Sequence, residues 1–232
     1  VQLLRPKKLG LDGSEYSITV TSDSSYVQVN GYRANILPRL GQKTAVQLTV
    51  TIKYKANETI SDSKTLTIQL APLSQETIDR EKLLIQKVRT ALFDGMKGEN
   101  TSPDAITKDL HSFQEVYLDE NDELVWVYDV KEVTGMGLVP GDIPGYNPMA
   151  FYSGGWRTFR SSNEAVITHE SLHVNRPEQT TKVKVDCSLE SERFTRYWTQ
   201  FTEAGNTTEA EKWKDFAPQA MELELTVLGT SV

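Results

Sequence analysis

The sequence predicts a mainly β protein in which two β-sandwich modules are separated by an α-helical insertion. Three observations lead to this fold class. Short runs of alternating apolar and polar residues occur in both halves of the chain, a segment with helical spacing separates them, and the pattern of the first half returns in the second. A chain of 232 residues has room for two modules of about 100 residues each. The predicted boundaries are a first module at 1–73, a helical linker at 74–112, and a hairpin plus second module at 113–232.

Four alternating runs predict the strands of the first module. They begin at Ile18, Tyr26, Ala45 and Thr65, and clusters of Ser, Asp, Asn and Gly separate them. Such clusters are typical of turns, and alternation with a period of two places every second side chain on one face of a sheet. The strand spacing is that of an immunoglobulin-like β-sandwich.

A helix is predicted after the first module. Apolar side chains recur every three or four residues over 78–96, Ser74 is a suitable N-cap, and Gly95 and Gly98 are expected to end the helix. A second, short helix is predicted from Ser102 to about Leu110, because Pro103 occupies the favoured first helical position.

A β-hairpin is predicted next. The runs 113–118 and 123–129 alternate and are joined by residues 119–122, three of which are acidic. Calcium loops place carboxylates at alternate positions and add a glycine and a distant bidentate glutamate. The contiguous cluster here lacks that spacing, so a solvated turn is the better interpretation.

An internal repeat links the two halves. Residues 17–38 align without a gap over residues 156–177, which places Ser22 on Ser161, Val27 on Val166 and Pro38 on Pro177. The second copy carries a longer insertion at 190–218, with a helix predicted around 208–216. After a two-residue deletion the inward-facing positions also coincide: Val46, Leu48, Val50 and Ile52 with Val183, Val185, Cys187 and Leu189, and Leu66, Ile68 and Leu70 with Leu223, Leu225 and Val227.

These motifs resemble a known family. The second copy contains Ser-Ser-Asn-Glu-Ala-Val-Ile at 161–167, Val-Asn-Arg-Pro at 174–177 and Leu-Thr-Val-Leu-Gly at 225–229, and the first copy follows the same plan. This order is similar to the bacterial Ig-like repeats called atrophied bacterial Ig domains, although Arg39 follows its proline whereas Arg176 precedes its own. The resemblance covers both sandwich segments but not the helical one. It implies a structural or adhesive module of a secreted or cell-surface multidomain protein, with cell-wall glycans, host glycans or surface proteins as partners.

Composition excludes some classes of partner. The net charge is −7 and the Lys and Arg residues are scattered singly, whereas nucleic-acid binding needs a clustered cationic surface. No segment approaches the roughly 20 apolar residues of a membrane-spanning helix. Cys187 alternates with Val183 and Val185 and is expected to be a core residue. The chain is expected to be a monomer.

One motif suggests catalysis. His169-Glu-Ser-Leu-His173 fits the H-E-x-x-H pattern of zinc peptidases, in which a helix brings both imidazoles to one metal and Glu170 acts as general base. Glu190 or Glu192 would supply a third ligand. On an extended strand, however, residues four apart are separated by about 13 Å, too far to share a zinc ion. The repeat places this motif over 30–34, a turn entering a strand, so a zinc peptidase is the least favoured hypothesis and no catalytic or metal-binding residue is predicted.

Aromatic residues suggest a second alternative. Five of them lie in segments with turn or insertion character and are candidates for stacking on sugar rings, which would make the chain a carbohydrate-binding module. The competing interpretation is that large aromatic residues of this kind belong to the core. The chain is predicted not to be an enzyme and to need no cofactor. The five candidate ligand-binding residues are Tyr146, Tyr152, Trp156, Trp198 and Trp213.

Overall fold

The computed structural model describes residue 3 and residues 5–37, 39–129, 149–151, 159–191 and 193–231, with the backbone alone for 149–151. The chain divides into two compact units, Val1–Ile78 and Asp79–Val232. Most of the regular structure consists of antiparallel strands, with few helices, so the prediction of a mainly β protein is confirmed.

The first unit contains a three-stranded antiparallel sheet of strand order β1-β4-β5 and a separate hairpin of β2 and β3. The alternation of the sequence is reproduced here, since Ile18, Val20 and the other apolar residues of β1 lie on the same face as Leu48, Val50 and Ile52 of β4. The strands are β1 (Tyr16–Ser22), β2 (Val27–Asn30), β3 (Arg33–Ile36), β4 (Thr44–Tyr54) and β5 (Ser61–Leu70), preceded by a short 3-10 helix at Pro6–Leu9.

The core of the first unit is small and lies where the hairpin packs on one end of the sheet. Val27 and Ala34 of the hairpin cluster there with Val46 and Leu70 of the sheet. The opposite face of the sheet is polar and carries hydroxyl pairs such as Thr51 with Ser63, 2.8 Å apart. The sheet is therefore amphipathic, and only part of its apolar face is covered.

The second unit has a six-stranded sheet in which β11, β10, β8, β6 and β7 are neighbours in that order and β9 pairs with β10. The helix α1 begins just before the division between the units. The elements are α1 (Gln75–Met96), β6 (Glu115–Leu118), β7 (Leu124–Val127), β8 (Met149–Phe151), β9 (Arg160–Ser161), β10 (Thr181–Ser191), α2 (Phe194–Glu203), α3 (Thr207–Lys212), a 3-10 helix at Lys214–Phe216, and β11 (Gln219–Val227).

The second unit has a much larger core. The apolar stripe of α1, including Leu84, Val88 and Leu92, belongs to one buried cluster with side chains of β6, β10 and β11. Cys187 is buried in this cluster beside its strand neighbours Val185 and Leu189, as its alternation predicts. Helical spacing in the sequence thus identified the face that α1 buries.

The predicted helices are partly confirmed. Ser74 caps α1, because its Oγ accepts a hydrogen bond from the backbone N–H of Thr77 at 3.2 Å. The helix predicted around 208–216 corresponds to α3 and the following 3-10 helix. The hairpin of β6 and β7 is also present, with the acidic residues in its turn.

The short helix predicted from Ser102 to Leu110 is wrong, because this segment forms turns and a single bridge. The backbone N–H of Ile106 donates to the carbonyl of Thr226 at 2.9 Å, so Ile106 pairs with the edge of β11. The side-chain oxygen of Asn100 accepts hydrogen bonds from the N–H groups of Thr107 and Lys108, both at 3.0 Å. These interactions satisfy backbone groups that a helix would otherwise have used.

Two further findings concern the segments beside the strands. Residues 97–112, expected to be part of a separate linker, belong to the second compact unit together with most of α1. The helix α2 occupies the insertion of the second half but was not foreseen. Among the described residues, none of the helices is long and apolar enough to cross a membrane.

Candidate functional site

The H-E-x-x-H segment forms a tight turn. Residues 169–171 are in a turn, and the flanking residues Ile167 and Val174 form an antiparallel bridge. Glu170 and Leu172 have positive φ angles of 58° and 55°, which are incompatible with a right-handed helix. The predicted turn is therefore confirmed, whereas the predicted flanking strands are reduced to the single bridge of Ile167 and Val174. The helical geometry of a zinc peptidase motif is not present in this segment.

The two imidazoles of the motif are engaged by different partners. His169 Nδ1 accepts a hydrogen bond from the backbone N–H of Ser161 at 3.0 Å, and its Nε2 lies 3.8 Å from a carboxylate oxygen of Glu164. His173 Nδ1 lies 3.0 Å from Oδ2 of Asp109. Because His169 uses a ring lone pair to hold the backbone of β9, that nitrogen is not free to bind a metal.

Among the residues that the structure describes, no group of three or more His, Cys, Asp and Glu side chains is arranged to hold a metal ion. Glu190, the conceivable third ligand, lies in β10, where burial raises the pKa of its carboxyl group. Glu192, the other conceivable ligand, lies outside the described residues.

Asp109 fastens a loop to the bridge that follows the turn. Its Oδ1 accepts a hydrogen bond from the backbone N–H of Val174 at 2.8 Å, while Oδ2 faces His173. The backbone hydrogen bond from Val174, followed by the hydrogen bond with His173, lowers the pKa of Asp109 below its usual value. The charges of His111 and His173 act in the same direction. This pair of an acid and an imidazole thus serves to hold the turn in place.

The aromatic candidates fall into two groups. Trp213 is fully buried and packs against Phe194, Tyr197 and Phe216, with ring centroids 5.4 to 5.9 Å away. Trp198 lies on α2 and is half-buried. A sugar ring stacks on an exposed aromatic face, and Trp213 offers none.

The other three aromatic candidates, Tyr146, Tyr152 and Trp156, lie outside the described residues. Their part of the carbohydrate hypothesis stays a prediction. Of the described candidates, only Trp198 has a partly accessible ring.

The single thiol is poorly suited to nucleophilic chemistry. Burial raises the pKa of Cys187 to about 12, and the negative charge of Asp186 acts in the same direction. A thiol with a raised pKa carries little thiolate at neutral pH, and the thiolate is the reactive form.

The turn after β1 in the first unit and the turn after β9 in the second unit have the same hydrogen bonds. Ser22 Oγ accepts from the N–H of Ser24 at 3.1 Å, and at the matched positions Ser161 Oγ accepts from the N–H of Asn163, also at 3.1 Å. The residues that follow these two serines also accept equivalent hydrogen bonds. Asp23 Oδ1 accepts from the N–H of Gln47 at 2.8 Å, and Ser162 Oγ accepts from the N–H of Lys184 at 2.9 Å.

The strand registers also coincide at the positions that the sequence aligns. Ser22 pairs with Leu48 in the first unit, and Ser161 pairs with Val185 in the second. The closing strands agree, since Val46 pairs with Ile68 and Val183 pairs with Leu225. The hairpin of β2 and β3 is matched by a bridge, because Gln28 pairs with Asn35 where Ile167 bridges Val174.

No family model, curated protein or solved structure matches this chain. Among the described residues, the most consistent feature is that strand pairings and turn hydrogen bonds recur at matched positions of the two units.

Proposed function

We propose that the chain is a tandem pair of immunoglobulin-like β-sandwich modules that serves as a non-catalytic, structural or adhesive part of a bacterial secreted or cell-surface protein. The observation that carries the proposal is the coincidence of two strand pairings, one bridge and one turn at matched positions of the two units. The order of the short motifs, which resembles bacterial Ig-like repeats, supports the bacterial setting.

Matched registers are a stronger sign of duplication than alternating sequence alone. Any two amphipathic strands share a period of two, but a slip by one residue exchanges the faces of a strand. The side chains of Asp23 and Ser162 each accept a hydrogen bond from the backbone of the next long strand. A shared period of two does not account for these hydrogen bonds. Two copies of one module account for both features.

The chemistry of the polar groups supports a structural role. His169 holds the backbone of Ser161, Asp109 holds the backbone of Val174, and burial keeps the thiol of Cys187 protonated. Each of these groups stabilises a turn or the core in the described structure. A module that links or presents other domains needs this kind of rigidity.

Surface location is the first test of the proposal. Antibodies raised against the purified chain are applied to intact cells of the source bacterium, before and after treatment with protease, with a cytosolic protein as control. We expect labelling of intact cells, or antigen in the culture medium, and loss of cell-bound antigen on protease treatment. Antigen found only inside the cells would contradict the proposal.

Ligand arrays and metal analysis separate the competing functions. Binding of the purified chain to surface proteins without binding to glycans would support an adhesive module. Glycan binding that is lost on Trp198→Ala would instead support the carbohydrate-binding alternative. Stoichiometric zinc that is lost on His169→Ala would support the metallopeptidase hypothesis.

A further inference from the structure

The strand β5 forms a long exposed edge of the sheet in the first unit. Among the described residues it pairs only with β4, and residues 61–67 are all exposed. The matched edge of the second unit is partly covered, because Ile106 pairs with Val227 at the end of β11. An exposed edge presents N–H and C=O groups that can accept another strand. On this edge the N–H of Ser63 is held by Oδ1 of Asp62 at 2.9 Å, so a strand that pairs there takes the place of that carboxylate oxygen.

The side chains along this edge have a distinctive order. Asp62, Lys64 and Leu66 oppose Ile52, Val50 and Leu48 of β4, so all three lie on the apolar face of the sheet. Leu66 is 45% exposed, and Ile60, directly before the strand, is 58% exposed. Two opposite charges thus lie between two exposed apolar side chains.

These charges make the edge selective. A strand that adds in an arbitrary register would place Asp62 and Lys64 against apolar or like-charged groups, which is unfavourable. A suitable partner offers a positive charge opposite Asp62, a negative charge opposite Lys64, and apolar groups opposite Ile60 and Leu66. A second copy of the same strand, running antiparallel, offers all of these.

We propose that two copies of the chain associate through β5, in an antiparallel register in which Ser63 faces Ser63 of the second copy. Counting outward from this centre, Asp62 opposes Lys64 of the second copy, and Ile60 opposes Leu66 of the second copy. The two-fold symmetry makes each of these contacts twice. Registers centred on 62 or 64 would place like charges opposite each other.

This association differs from the monomer expected from the sequence and does not depend on where the protein is located. Each β5 gains backbone hydrogen bonds along its exposed edge, and the two sheets become one continuous sheet. The apolar face shared by the copies is extended beside Leu66, whose exposure it reduces.

Sedimentation of the full chain over a range of concentrations tests the proposal. We expect the native chain to form dimers. Asp62→Lys and Lys64→Asp are each expected to raise the dissociation constant of the dimer about tenfold or more, because each variant places like charges opposite each other twice. Lys43→Asp makes the same charge change as Lys64→Asp but lies outside β5. It is the matched control and is expected to dimerise like the native chain.

Mixing the two single variants is the decisive experiment. Asp62→Lys carries two positive charges on this edge and Lys64→Asp carries two negative charges, so an equimolar mixture is expected to associate more strongly than either variant alone. The double variant Asp62→Lys/Lys64→Asp restores both pairs within one chain and is expected to dimerise like the native protein. A native chain that is monomeric at every soluble concentration would overturn the proposal. A mixture no stronger than its components would also overturn it.

Discussion

At the scale of single residues, Asp109 shows how an exposed carboxylate can act as a structural group. It accepts the backbone N–H of Val174 and faces His173, so one side chain connects the loop after α1 with the bridge of the H-E-x-x-H turn. About half of each side chain of the acid–imidazole pair is accessible to solvent, so water screens the electrostatic attraction between Asp109 and His173. The backbone hydrogen bond is the more important contribution.

The substitution Asp109→Ala is expected to lower the free energy of unfolding by about 1 kcal/mol, because the N–H of Val174 loses its acceptor. Asp109→Asn is expected to cost less, since an amide oxygen can still accept that bond. The pKa of Asp109 is lowered in the folded state, so its stabilisation is present above the unfolded value and is lost as the pH falls through the folded one. Urea unfolding of the native and Ala chains should therefore show a difference that is constant down to about pH 5 and shrinks as the pH falls below about 4.

The control for this series is Asp104→Asn, which removes an exposed charge from the same segment. It should leave the free energy of unfolding nearly unchanged. An Asp109→Ala chain as stable as the native one at neutral pH would show that the hydrogen bond to Val174 contributes little.

Gly95 illustrates what the sequence does not reveal about a single residue. Glycine near the end of a helical pattern suggests a stop, but α1 continues to Met96. A Cβ at Gly95 would lie 2.5 Å from the ring of Trp126, so the residue is glycine where the helix and an indole approach closely. Gly98, with a φ of 54°, has the left-handed geometry expected after a helix end. The contact with Trp126 depends on tertiary packing, which local pattern cannot show.

At the scale of elements, alternation and spacing located the long strands and α1, because each of these buries one regular face. The insertion between β10 and β11 was harder to predict. The helix α2 was missed, and its Phe194 packs with Trp213 in a buried aromatic cluster. The sequence shows these aromatic residues but not which of them face one another. The buried position of Trp213 follows from that packing.

The matched turns give a prediction for corresponding elements. Asp23→Ala and Ser162→Ala should each expose a backbone N–H, that of Gln47 or of Lys184, and should accelerate hydrogen exchange of that amide by about tenfold. The substitutions Asp23→Ser and Ser162→Asp place the residue of one turn in the other. They should preserve most of the protection of the amide from hydrogen exchange. Amide exchange measured by NMR distinguishes the four variants.

The Ala variants and the exchanged variants serve as controls for each other. If Asp23→Ser lost as much protection as Asp23→Ala, the two turns would not be interchangeable. The proposal that they are copies of one device would then lose its support from this position.

At the scale of the whole molecule, the two compact units differ in the size of their cores. Counted over the described residues, the main cluster of the second unit contains 21 buried residues, whereas that of the first unit contains four. Burial of a large apolar side chain contributes about 1.5 to 3 kcal/mol. The first unit is therefore expected to be the less stable of the two.

Urea unfolding can resolve the two units because their natural probes are unevenly distributed. All four tryptophans and Cys187 follow residue 78 and report on the second unit, whereas far-ultraviolet circular dichroism reports on both. We expect part of the β signal to be lost at a urea concentration where tryptophan fluorescence is unchanged. Alkylation of Cys187, whose thiol is buried, should begin only with the fluorescence change. The matched variants Val46→Ala and Val183→Ala, each expected to cost about 2 kcal/mol, should move only the earlier and only the later transition, respectively. A single transition that coincides for all probes and moves with both variants would show instead that the chain unfolds as one cooperative body.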